Sequence, residues 1–358
     1  MRRCSLNRWR AEPMGVMVRT LDAASEAAWD RFVAVMPGGT FFHRAGWAKV
    51  IESAFGHATH FSFAERDGAI TGVLPLGRVK TMLFGDALIS VPFCVYGGPV
   101  AADAESETAL ITHAESLLAR TGAQALEFRG MEPGRGADGW VDGPDLYVTF
   151  RKAIEADAER NMKAIPRKQR AMVRKGIQNE LTSVADRDSD RLHAVYAESV
   201  RNLGTPVFSR RYFRVLMDVF EGDVDVVTIL DAGTPIASVM NFYFRDEVLP
   251  YYGGGTAAAR GRAGNDFLYW ETMRRAADRG CRMFDFGRSK IGTGSFSFKH
   301  NWGFEPAKLH YRFRLKPGEA IPDLNPLNPK YRMFIAGWKK LPLPVANAVG
   351  PFIVRGLG

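Results

Sequence analysis

Residues 248–287 read VLPYYGGGTAAARGRAGNDFLYWETMRRAADRGCRMFDFG, and the punctuation of this stretch decides the fold. The apolar, aromatic run Val248–Tyr252 predicts a strand that stops at three successive glycines. Asn265–Arg279 carries apolar residues at helical spacing, Gly280 ends it, and Met283–Phe286 returns to strand character. Upstream, Val224–Leu230 turns at Asp231-Ala232-Gly233 into Thr234–Phe244, behind two helices at Arg191–Asn202 and Arg210–Phe220.

The same order stands earlier in the chain. Helices are expected at Ala23–Val35 and Gly46–Phe55, then a hairpin of His60–Glu65 and Ile70–Val79 around Asp67-Gly68. A strand at Ala87–Pro92, a helix at Ala104–Arg120 stopped by Gly122, and a strand at Ala125–Arg129 follow. Tyr96-Gly97-Gly98 answers Tyr252-Gly253-Gly254, and Ala119, Gly122, Glu127 and Phe128 answer Ala277, Gly280, Asp285 and Phe286. A duplication explains one order of elements met twice. The expectation is an α/β protein of two diverged copies, residues 16–150 and 151–320, with a basic, proline-rich tail over 321–358. The glycine-rich stretch Gly130–Pro144 reads as a loop between the copies.

Composition narrows the class. With 358 residues, 46% hydrophobic and 24% charged, the chain is long enough for two packed cores and is not of the disordered type. Its three cysteines, Cys4, Cys94 and Cys281, are far apart and suggest reduced thiols rather than a disulfide framework. The basic opening MRRCSLNRWRAEP precedes no apolar run of signal-peptide length, so a cytoplasmic location is expected. Net charge is +9, and seven basic residues with no acidic one fall between Arg160 and Lys175. Such a block attracts phosphate, nucleic acid or an anionic surface; a solvated helix face is the plain alternative.

No G-x-S-x-G elbow or H-E-x-x-H pair occurs, and Gly253-Gly254-Gly255, which follows a strand, lacks G-x-G-x-x-G spacing and the acidic residue expected beyond it, which argues against a hydrolase triad, a zinc site and a Rossmann cofactor site. The chemically rich segment is DFGRSKIGTGSFSFKHNWGFEP, residues 285–306. Asp285 is a candidate general base, Lys299 a candidate oxyanion or phosphate partner, and Phe298 either a substrate platform or core. No metal site is expected.

The basic MKAIPRKQRAMVRKG, YYGGG, MFDFGRSK and FSFKHNWGFEP segments together resemble the FemAB-like family of acyl and aminoacyl transferases. The resemblance runs from about Val16 to Leu315. It is especially similar to the branch associated with exosortase and exopolysaccharide gene clusters, which tends to carry a tail like Trp338–Pro342. It implies tandem GNAT-like domains with mixed central sheets flanked by helices. It also implies amide formation on an amino-sugar or other polysaccharide or envelope precursor. Family members that modify cell-wall precursors take an amino acid from aminoacyl-tRNA, and their Phe-Lys pair falls on Phe298-Lys299. By the same resemblance Arg167, Lys168, Arg170 and Lys175 are expected to contact phosphates in a crevice between the copies.

Further expected contacts are Arg288 and Tyr252 with the substrate, and Gly254, Gly255, Arg260, Arg262 and Gly264 with the donor. The stretch ARGRAGND departs from the acetyl-CoA signature in its spacing, and the long helical hairpin of some tRNA-dependent members has no room. The sequence therefore ranks acyl-CoA or another acyl thioester, not tightly bound, ahead of aminoacyl-tRNA, with a non-catalytic scaffold as a further alternative. A phosphate-bearing or lipid-linked saccharide precursor is the expected acceptor. The basic tail adds an anionic membrane surface as a partner, which implies peripheral attachment to the inner face of the cytoplasmic membrane.

Overall fold

The computed structural model describes residues 15–81, 85–134, 138–321 and 329–358, without the side chains of residues 329–332. Cys4 and the basic opening lie outside the described residues. The described residues form three sheets. In the first half, Met17–Thr20, Ser62–Arg66, Ala69–Leu74 and Val100–Ala101 make an antiparallel sheet of four strands. A five-stranded sheet follows, in which Gly85–Ser90 runs parallel to Ala125–Gly130, joined through the helix Ala104–Thr121. In the second half, Thr182–Asp186, Val224–Asp231, Thr234–Phe244 and Glu247–Gly255 run antiparallel in sequence order. Glu247–Gly255 then pairs in parallel with Met283–Asp285 through the helix Gly264–Asp278. Both halves thus centre on a helix-linked parallel pair beside antiparallel strands, the expected mixed α/β plan.

Local chemistry explains the turns. Ala232 and Gly233 both adopt positive φ, 48° and 83°, the combination a tight hairpin turn demands. Gly122, at φ 67°, accepts the left-handed cap that ends its helix. Pro166 breaks the basic segment, expected as one helix, into Ala158–Ala164 and Arg167–Gln178. Short strands at Trp140–Asp142 and Pro306–Lys308 and a helix at Gly294–Asn301 were not foreseen.

The halves are joined more closely than the expected boundary at 150/151 allows, because that boundary falls inside the strand Tyr147–Ala153. This strand pairs with Met283–Asp285, Ser289–Lys290 and Pro306–Lys308 of the second half. Conversely, His310–Leu315 completes the first-half sheet beside Ala125–Gly130. The largest core is also shared. Phe41 stacks on Phe242 at 4.5 Å, Trp47 lies 5.4 Å from Phe220, and the helix Gly46–Phe55 packs on Arg210–Val219. Fully buried aromatic rings at such spacings contribute area burial and favourable ring geometry together. The tail is not a loose end: Pro329–Trp338 and Leu343–Val354 are helices, and Trp338, Ala346 and Val354 are buried.

Candidate active site

The parallel pair opens a cleft. Glu247–Gly255 meets Met283–Asp285 at only two positions, Glu247 with Met283 and Val248 with Phe284. From Leu249 onward that edge of the strand has no strand partner among the described residues, and a cleft of about 610 Å³ lies at its glycine end. Backbone N–H and C=O groups on a free edge are ready to pair with an extended ligand. The helix Ser189–Leu203 forms one wall with Ser199, Asn202 and Leu203; Asn265 and Tyr269 form another; Ser295, Phe298 and Lys299 close the third. Close approach requires the glycines here. A Cβ on Gly254 would stand 2.2 Å from Ser199 Oγ, and one on Gly255 would stand 2.5 Å from Asn265 Oδ1.

Lys299 is held in place by the helix Gly294–Asn301, whose first turn is capped by the Thr293 side chain. Its Nζ donates to the carbonyl oxygens of Phe286 at 2.6 Å, Gly287 at 3.0 Å and Arg288 at 3.0 Å. Gly287, at φ 64°, bends the chain there. Burial pushes the Lys299 ammonium down to about 7, with nearby Arg288 acting in the same direction and Asp285 against it. The three carbonyls also favour the charged form. Beside it, Phe298 is half-buried against Tyr269 at 5.4 Å and Trp302 at 6.1 Å, so it serves both packing and the cleft wall.

The cleft brings together Phe298, Lys299, Gly254, Gly255 and Arg260 of the expected residues. It does not include the others. Asp285 is 1% exposed and satisfied elsewhere: it accepts from Tyr96 Oη at 2.8 Å and from the Gly287 N–H at 2.6 Å, and faces Arg151 Nε at 3.3 Å. Burial raises its pKa. A carboxylate so enclosed ties the first half to the second, and the general-base expectation does not hold in this geometry. Arg288 lies over the Tyr147 ring at 4.7 Å and donates to Tyr311 Oη, again at the junction of the halves. Tyr252 points into the shared aromatic core, with its Oη 2.6 Å from that of Tyr212.

Arg262 forms a two-pronged pair with Asp231, and Gly264 packs against Ile236; neither reaches the cleft. The ARGRAGND stretch is not an open loop either. Ala257–Arg262 is a short helix, and its first amide, from Ala257, already donates to the Glu198 carboxylate at 3.0 Å. The basic helix Arg167–Gln178 packs on Gly264–Asp278 with Gly176 against the Phe267 ring, so it flanks the cleft helix on the outside and does not stand between the halves. Arg167, Lys168, Arg174 and Lys175 are exposed, Arg170 is half-buried, and none has a carboxylate partner among the described residues. Cys281 is buried, and burial pushes its thiol up to about 11, as suits a packing residue.

Sequence reasoning missed Ser199, Asn202, Leu203, Asn265 and Tyr269. The four-residue spacing of Asn265 and Tyr269 was the available signal, since it puts both on one helix face. Ser199 has no local signal, because only tertiary packing brings it to Gly254. A smaller cleft of about 390 Å³ lies in the first half at Gly97 and Gly98, beside His43 and Tyr96. Burial pushes His43 there down to about 4.

Residues 159–300 match a family model described as an acetyltransferase (GNAT) domain. No curated protein matches the chain. Among solved structures it is similar to FemX, at 14% identity over 84% of this chain and 97% of that one, with a TM-score of 0.66. It is similar also to the C-terminal domain of a putative lysylphosphatidylglycerol synthetase from Agrobacterium fabrum, at 14% identity, 82% and 93% coverage, and a TM-score of 0.53. A tandem GNAT protein from the clavulanic acid biosynthesis pathway aligns at 14% identity over 85% of this chain and 100% of that one, with a TM-score of 0.52. The chain therefore has a tandem GNAT-like, FemAB-like acyltransferase fold, and the cleft is lined from within the stretch that matches the GNAT domain model.

Proposed function

We propose that this protein transfers an aminoacyl or other acyl group from an activated donor to an amine or hydroxyl on an envelope- or lipid-related acceptor. The observation that carries the reading is the meeting, in one cleft, of a free strand edge, the aromatic wall of Tyr269 and Phe298, and the Lys299 ammonium. Polar groups of the donor pair with the free edge, and its acyl carbonyl comes to rest near Lys299. The acceptor nitrogen or oxygen attacks that carbonyl, the bond to the donor's leaving oxygen or sulfur breaks, and the acceptor's proton leaves through water to that atom. Lys299 exchanges one of its backbone acceptors for the oxyanion that develops during attack.

Two features favour an aminoacyl ester over CoA as donor, which reverses the order expected from the sequence. The Glu198 carboxylate caps the short helix of the ARGRAGND stretch, where donor contacts were expected, and it would repel the phosphates of CoA. The exposed, unpaired cations of the basic helix flank the cleft helix and suit a polyanion such as tRNA. The structural likeness to a protein whose name describes a lysyl group joined to a lipid supports the same order. A thioester donor with an amino-sugar or exopolysaccharide acceptor is the second reading, favoured by the exposed Arg260 in the cleft. Either donor is a cytoplasmic molecule, and we place the protein on that side.

The test incubates purified protein with charged tRNA or acyl-CoA, in the presence of phosphatidylglycerol vesicles and amino-sugar acceptors, and identifies products by mass spectrometry. Product from charged tRNA is expected. Replacing Arg167, Lys168, Arg174 and Lys175 by Ala should lower that turnover about tenfold or more while leaving any thioester reaction unchanged. Product from acyl-CoA alone would establish the second reading, and no product with either donor would remove both.

A further inference from the structure

Eleven large hydrophobic side chains among the described residues are exposed, and Met333, Phe334, Val345, Val349 and Phe352 come from one short stretch near the C-terminus. Isolated exposed apolar residues are ordinary, whereas a cluster marks a surface that something covers. The helix Leu343–Val354 contains no charged residue. Its inner face, Ala346, Gly350 and Val354, is buried, and Gly350 seats against Val207. Its outer residues Val345, Val349 and Phe352 follow one another at helical spacing and form a second apolar stripe that faces solvent. On the preceding helix, Pro329–Trp338, Met333 is 81% exposed, and the exposed Phe334 stacks on the buried Trp338 at 5.3 Å. Ile335 of that helix rests on Gly204, three residues before Val207, so both helices sit on the same turn.

Charge completes the pattern. Residues 330–358 contain five basic residues and no acidic one. Lys339, Lys340 and Arg355, which follow the two helices, are exposed and have no carboxylate partner among the described residues. Among the described residues no helix is long and apolar enough to cross a membrane. An apolar stripe rimmed by free cations on a helix too short to span is the pattern of an interfacial anchor.

We propose that this two-helix strap docks on an anionic lipid bilayer, with Met333, Val349 and Phe352 entering the acyl boundary and the lysines meeting the headgroups. The strap touches Arg201 and Gly204, at the end of the helix whose Ser199, Asn202 and Leu203 line the cleft. Docking therefore holds the cleft mouth at the membrane, where a lipid-borne acceptor reaches it by lateral diffusion. That last step rests on the acyl-transfer reading; the docking does not.

Flotation of the full chain with phosphatidylcholine vesicles, plain or mixed with phosphatidylglycerol, tests the proposal without reading turnover. Binding to the mixed vesicles is expected to exceed binding to the plain ones by about tenfold or more. Met333→Asp with Phe352→Asp should lower it by at least about tenfold, while the melting temperature stays unchanged because both side chains are exposed. Lys339→Glu with Lys340→Glu should abolish the preference for phosphatidylglycerol. Absence of binding, or equal binding by wild type and the Asp variant, would overturn the proposal. So would a wild-type dimer in sedimentation velocity that the Asp variant dissolves, since a second copy would then be the occupant.

Discussion

Lys299→Met removes the one donor that gathers the carbonyls of Phe286, Gly287 and Arg288. Each hydrogen bond to a charged group contributes about 1.5–3 kcal/mol net, but water entering from the cleft replaces part of the loss. The expected destabilisation is about 2 kcal/mol, or a fall in Tm of about 3 °C for a cooperative chain of this length. Turnover should fall further, by about 10²-fold or more, because an oxyanion partner acts on the transition state. Lys299→Arg should recover only part of the rate, since guanidinium keeps the charge but not the compact geometry.

The pH profile separates the roles. With its ammonium at about 7, wild-type Lys299 loses its charge as pH rises through that value, so turnover should decline above it. Lys299→Arg should show no such decline. The folded value lies below the ordinary lysine value of 10.5, so between about 7 and about 10.5 the folded chain binds fewer protons than the unfolded one. Stability from this group should therefore rise with pH across that window, and the rise should vanish in Lys299→Met. Circular dichroism, thermal melts and donor binding must accompany the kinetics. Near-wild-type turnover by folded Lys299→Met, or wild-type turnover that rises through pH 7, would refute the reasoning; the latter would make Lys299 a base.

Asp285→Asn should act on stability before chemistry: it removes a buried charged acceptor of Tyr96 and the Gly287 N–H while Arg151, which is partly exposed, keeps its pair with Glu247, so a loss of about 1–3 kcal/mol in chemical denaturation is expected, with turnover of the folded fraction within about tenfold of wild type. Gly254→Ala should drive the helix Ser189–Leu203 from the strand, at about 1–3 kcal/mol and with weaker donor binding. Adding Ser199→Gly should restore both, since Ser199 supplies the clash. Arg260→Ala should raise the donor KM several-fold without changing Tm, whereas Arg262→Ala, which breaks the pair with Asp231, should lower Tm and leave KM alone.

Periodicity and turn chemistry made the element order readable, because Gly122, Gly280 and the Asp231–Gly233 turn each carry a local conformational demand. The strand Thr234–Phe244 and the helix Gly46–Phe55 stand where the sequence placed them. Lys299 and the glycine strand end were also legible, as adjacent motifs. What escaped depends on distant partners. Asp285 looks reactive in its own segment and becomes enclosed only when Tyr96 and Arg151 arrive from elsewhere. Tyr252 looks like part of a binding turn until Tyr212 meets it in the core. The basic helix could be recognised by its charge, but its position outside the cleft follows from Gly176 packing on Phe267.

The reciprocal placement of Tyr147–Ala153 and His310–Leu315 bears on how the chain reaches its native state. During synthesis the first half cannot close its sheet when residue 150 leaves the ribosome, because the strand it needs beside Ala125–Gly130 is made some 160 residues later. An N-terminal fragment would emerge with an uncovered strand edge and half of a shared aromatic core, the condition that invites aggregation or a chaperone. The arrangement is that of an exchanged dimer sealed into one polypeptide, so neither copy can drift or be lost without unravelling the other.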